Sequence, residues 1–251
     1  MDNLYFPDIP IETQKVVEPF FQDILSKDKE NIISLYLTGS AVTKDFDKKY
    51  SDINSTVVVK EVTITFFDFI ATLGKRYGKK KVHAPLIITQ HYVNRSLDVF
   101  PLEFLEMKLI HQLVYGIDVL KDIDIKKEDV RLQCERELKG KLQQLCQGYI
   151  RAMGDKTLLT DLLRGLLSGY FPIFRGILFL HDQNIPGEKN AVVSAIQKDC
   201  NADLAVFTKA LHIRTNNLRP TVDELRHIFE GLYRELDSLA QMFDQFEIKH
   251  G

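Results

Sequence analysis

The stretch LYLTGSAVTKDFDKKYSDINSTVVV, residues 35–59, decides the reading of this chain. The β-branched run Ile32 to Thr38 reads as a strand that leads straight into Gly39-Ser40. Twelve residues after Ser40 comes Asp52, at the entry of a second strand-like run, Ile53 to Val59. A Gly-Ser turn at the end of a strand lets backbone amides and a hydroxyl approach a phosphate closely. Asp52 and Asn54 lie two apart on a strand, so both side chains project from the same face. Two carboxylates at such positions, with a third acid from a neighbouring strand, are placed to hold Mg²⁺.

Working outward, Thr65 to Tyr77 carries apolar residues at Phe66, Phe69, Ile70 and Leu73, which is helical spacing. Pro85 to Thr89 and Leu97 to Met107 are read as further strands, giving a mixed sheet of about four. After residue 125 the pattern turns helical. Val130, Cys134, Leu138, Leu142, Leu145 and Tyr149 step by three or four. A second helix is expected over 158–180 with a kink at Pro172. Shorter helices are expected over 190–198 and 203–212. Thr221 with Glu224 makes a capping box that opens a last long helix, with Leu225, Phe229, Leu232, Leu236, Leu239 and Phe243 on one face. The fold class is therefore α+β: a mixed-sheet α/β domain over 1–125 and an all-α helical bundle over 126–251.

The strand, Gly-Ser, spacer and Ser51-Asp52-Ile53 frame resembles the nucleotidyltransferases of the DNA polymerase β superfamily. The resemblance implies a nucleotidyltransferase-like first domain that moves a nucleoside monophosphate from a nucleoside triphosphate to an acceptor, with Mg²⁺ as cofactor. Gly39 and Ser40 would hold the phosphates and Asp52 the metal. The family's third acid lies on a later strand; Phe100-Pro101-Leu102-Glu103-Phe104-Leu105 nominates Glu103, with Asp98 second because its parity points to the other face. The departure is Asn54, where active members carry a second Asp. Asn54 offers a metal one neutral oxygen and no charge. Asp45, Asp47 or Glu106 could supply a substitute carboxylate. The alternative reading is a degenerate, non-catalytic nucleotidyltransferase fold that binds nucleotides or a protein partner.

The rest of the sequence narrows the function. Lys+Arg 33 against Asp+Glu 35 gives a net charge of -2, so no basic field indicates nucleic acid or an anionic membrane. Hydrophobic residues at 45% and charged residues at 27% fit a globular chain. Three scattered cysteines (Cys134, Cys146, Cys200) argue against a disulfide framework or a zinc site and for a reducing, cytoplasmic setting. Cys134 and Cys146 sit on a helical apolar stripe and read as core. The N-terminus has no signal-peptide pattern, and the longest apolar run, Leu166 to Leu180, holds Arg175. Arg175 is expected to pair with Glu135 or Glu137; its sharper alternative is a phosphate contact. The basic run GKRYGKKK (74–81) reads as a solvated helix end, its alternative being an electropositive lip for a triphosphate. The seven histidines show no metal-binding spacing and are given no role. The bundle face is also one on which a homodimer could form.

Overall fold

The computed structural model describes residues 3–46, 51–215, 218 and 220–244. Two compact units make up the chain, Met1–Ile125 and Lys126–Gly251.

The first unit is built on a four-stranded sheet: β1 (Ile32–Thr38), β2 (Asn54–Val59), β3 (Leu86–Thr89) and β4 (His111–Gly116), in the order β3-β2-β1-β4. β1 is central, antiparallel to β2 and β4, while β2 and β3 run parallel. The parallel pair needs a crossover, and α2 (Ile64–Tyr77) supplies it. One sheet face carries Leu35, Leu37, Val57 and Val59. These residues join one buried cluster with Phe20, Phe21 and Ile24 of α1 (Ile11–Asp28) and Phe66, Ile70 and Leu73 of α2. Each such side chain, when fully buried, contributes about 1.5–3 kcal/mol.

The segment after β3 departs from expectation. After α3 (Gln90–Ser96), residues 101–109 form a helix, α4 (Pro101–Leu109), and the fourth strand is β4. In α4 the buried residues are Pro101, Leu102, Phe104 and Leu105, a grouping that one side of a helix gathers and a strand would alternate. Pro101 sits in the first turn, where a fixed φ and a missing N–H cost least.

At the far end of β4, Tyr36 organises the segment that follows. Its hydroxyl accepts the Val119 amide at 2.8 Å, and the Ser34 hydroxyl donates to the Ile117 carbonyl. Burial pushes the Tyr36 phenol up to about 12.

The second unit is helical: α5 (Lys127–Arg151), α6 (Lys156–Leu167), α7 (Phe171–Leu180), α8 (Lys189–Asp199), α9 (Ala205–Thr215) and α10 (Val222–Asp244). The helix expected over 158–180 is two, joined by a 3₁₀ turn at Ser168–Tyr170, so Pro172 lies in the first turn of α7 instead of kinking one long helix. Lys156–Leu180 is, among the described residues, the one segment long and apolar enough to cross a membrane, and 56% of its apolar window is buried inside the protein. Phe207 of α9 meets Tyr170, Phe171 and Phe174 with ring centroids 5.8, 6.0 and 5.1 Å away. Glu235 of α10 accepts the Val206 and Phe207 amides at 2.8 and 2.9 Å, capping α9 from a neighbouring helix. The Thr221–Glu224 capping box forms as read: the Glu224 amide donates to Thr221 Oγ1 at 3.2 Å and Glu224 Oε2 accepts the Thr221 amide at 2.7 Å.

Two side chains differ from their sequence reading. Arg175, 3% exposed, donates to the carbonyls of Pro186 and Gly187 at 3.3 and 2.7 Å, tying down the loop between α7 and α8. Glu135 is engaged along its own helix by Arg131 and Lys139. Cys146 is exposed, whereas Cys134 is buried and donates weakly to the Ile173 carbonyl. Burial pushes the Cys134 thiol up strongly and, with Asp199 nearby, moves Cys200 up to about 11. Thiolate is the reactive form, so iodoacetamide at neutral pH is expected to label Cys146 first and leave Cys134 unmodified until the chain unfolds, a difference that peptide mass mapping reads directly.

Candidate functional site

The Gly-Ser turn and the Asp52 segment meet at one end of the sheet because β1 and β2 are antiparallel. Thr38, the last residue of β1, pairs with Asn54, the first of β2. Gly39 follows with φ +68°, a conformation that glycine adopts without strain, and opens the 3₁₀ turn Gly39–Val42. A side chain there would begin 3.6 Å from Asn54 Nδ2, so the Asn54 amide lies against the turn. The Ser40 carbonyl accepts the Thr43 amide at 3.1 Å, and Thr43 Oγ1 accepts the Asp45 amide at 3.2 Å. The turn is therefore closed by its own hydrogen bonds.

Alternation assigns the faces. Ile53, Val57 and Val59 enter the cluster with α1 and α2, so Asp52 and Asn54 lie on the opposite face. Asn54 is exposed and the Asp52 side chain is 44% exposed. Beside them runs the segment that becomes β3. Ile53 bridges Val82 in the parallel sense; its amide donates to the Lys81 carbonyl at 2.8 Å and its carbonyl accepts the His83 amide at 3.0 Å. Val82 enters the same buried cluster as Ile53, so His83 shares the face of Asp52. Its Nε2 stands 3.3 Å from Asp52 Oδ1. The residue beside Asp52 on the neighbouring strand is thus an imidazole and not an acid.

The other nominated residues fall elsewhere. Glu103 is exposed on α4, and Asp98 lies in the turn before it, so the strand parity that ranked them does not apply. Glu106 is half-buried on α4, Asp45 lies just past the Gly39–Val42 turn, and Asp47 is outside the described residues. Among the described residues no three His, Cys, Asp or Glu side chains stand together as a metal would need, so Glu103 does not complete a cluster with Asp52 and His83. Mg²⁺ takes hard oxygen ligands, and a metal pair requires several carboxylates. One carboxylate, one neutral amide and one imidazole do not fit that pair.

The basic run divides into two parts. Arg76 binds Asp23 at 2.7 Å, and Asp23 also accepts the Tyr77 hydroxyl at 2.7 Å, so this part braces α2 on α1. Lys80 belongs to the same part, its Nζ over the Tyr77 ring at 5.6 Å from the centroid, whereas Lys81 adjoins the site through its carbonyl, which accepts the Ile53 amide.

No family model and no curated protein matches this chain. Among solved structures it is similar to the spectinomycin adenyltransferase AAD(9) from Enterococcus faecialis, determined with ATP and spectinomycin. The TM-score is 0.53 at 16% identity, covering 89% of this chain and 99% of that one. The mixed sheet with its helical second unit is the nucleotidyltransferase fold. At that identity the likeness speaks for the fold.

Proposed function

We propose that this protein is nucleotidyltransferase-like in binding a nucleoside triphosphate at the Gly39–Ser40 end of its sheet, and that it works as a nucleotide-binding regulatory module. The observation that carries this reading is His83 at 3.3 Å from Asp52. With Asn54 in the next position on that face, no carboxylate joins Asp52 in a cluster among the described residues. Ser40 offers a backbone amide and a hydroxyl to phosphate oxygens in the 3₁₀ turn that Gly39 opens, while the Gly39 amide itself donates to the Ile110 carbonyl at 3.4 Å. Thermal unfolding of the full chain with ATP, GTP, CTP and UTP in turn tests it. A ligand at about 100 times its Kd adds about 2.7 kcal/mol, so a rise of several degrees in Tm is expected with at least one nucleotide. No shift with any of the four defeats the reading.

A second reading is transfer of a nucleoside monophosphate to an acceptor hydroxyl. The similar solved structure favours it, being an adenyltransferase determined with ATP and spectinomycin. On this reading Asp52 is the retained metal ligand. Release of pyrophosphate from a nucleoside triphosphate, lost in Asp52→Ala, would select transfer over simple binding.

A further inference from the structure

The two departures at this site share a direction. A carboxylate at position 54 would be an acceptor only, fit to hold a cation; Asn54 brings two N–H donors, with Nδ2 lying against Gly39. An acid beside Asp52 would likewise be an acceptor; His83, as the imidazolium, brings two ring N–H donors, Nε2–H toward Asp52 and Nδ1–H for a phosphate oxygen. Both side chains put hydrogen-bond donors where a metal pair would need acceptors. Both side chains are exposed and share the sheet face of Asp52, next to a turn suited to phosphate. Lys79 is exposed two residues before Lys81, whose carbonyl is bonded to the Ile53 amide. Lysine at a phosphate site acts as a point charge and neutralises without a metal.

We propose that this site binds the phosphates of a nucleotide directly, without a divalent cation, with Asn54 and His83 as phosphate-contacting donors and Lys79 and Lys81 as counter-charge. This rests on the nucleotide-binding reading above and states the form of the ligand. Asp52 then serves to orient His83 through the 3.3 Å contact and needs no metal.

The test is isothermal titration of the full chain with each of the four nucleoside triphosphates, once in excess EDTA and once in excess Mg²⁺. The expected result is binding in EDTA at least as tight as in Mg²⁺. His83→Ala and Asn54→Ala should each weaken it roughly tenfold while leaving Tm unchanged, since both side chains are exposed. The double variant Asn54→Asp/His83→Glu restores acceptors and should reverse the dependence. It should bind Mn²⁺ alone, as read by electron paramagnetic resonance, and take nucleotide only with a divalent cation. Wild-type binding seen only in Mg²⁺ overturns the metal-free proposal and leaves the nucleotide reading standing. Absence of binding in both conditions removes that reading itself.

Discussion

Gly116→Ala is expected to destabilise the first unit by roughly 3 kcal/mol or more, lowering its Tm by on the order of 10 °C. Gly116 ends β4 with φ +88°, where a side chain is strained whatever space surrounds it. The space is also taken. A Cβ there would fall 1.9 Å from the Ile33 carbonyl oxygen and 2.9 Å from its carbon. The obstruction is backbone, and β1 cannot withdraw because it is bonded on its other edge to β2. Relief would require opening the Ser34–Gly116 end of the ladder. That end holds the Ile117 amide on the Ile33 carbonyl, and just beyond it Tyr36 Oη accepts the Val119 amide. Differential scanning calorimetry should show the loss in one transition, with the second unit's transition unmoved. Gly74→Ala is the control of opposite sign. Gly74 lies within α2, and a methyl group added there would meet nothing within 4 Å, so alanine should gain about 0.5–1 kcal/mol. Equal losses at both positions would show that the first variant acts through something other than the Ile33 contact.

The Gly-Ser half of the candidate site is local in sequence and so is legible there. Gly39-Ser40 and Asp52-Ile53-Asn54 belong to two strands that pair directly, and period-two alternation gives the face of each residue. The other half is not local. His83 reaches Asp52 only through a parallel bridge formed after a 14-residue helix has crossed over, and nothing near His83 records the register. A faint signal exists in Val82, whose burial beside Ile53 decides which way His83 points, but it becomes readable only once the two segments are known to be neighbours. The misread third acid has a different cause. PLEFLEMKL (101–109) is short, apolar and begins with proline, which is compatible with an edge strand and with a helical first turn. The i, i+3, i+4 grouping of Pro101, Phe104 and Leu105 is the better guide, and it selects the helix. Cys146 is exposed for a third reason: a stripe on α5 wide enough to include it is wider than the surface its neighbours cover.

Arg175→Met is expected to cost about 2–4 kcal/mol of stability in the second unit, read as a lower urea midpoint with an unchanged slope. Arg175 is 3% exposed in an otherwise apolar helix, and its fork reaches two successive carbonyls, Pro186 and Gly187. Methionine fills similar volume but leaves those acceptors without their donor, and the loop from α7 to α8 without its tether. Arg175→Lys should recover little. A single ammonium cannot reproduce donors from both Nε and Nη2 in one plane, and it is harder to desolvate. Limited proteolysis should then cut within 181–188 in both variants well before the wild type. The same pair of variants decides against the phosphate reading of this residue. If Arg175 served a phosphate, removing it would leave the urea midpoint alone and weaken nucleotide binding. The carbonyl contacts predict the reverse: a lower midpoint, with nucleotide affinity per folded molecule unchanged.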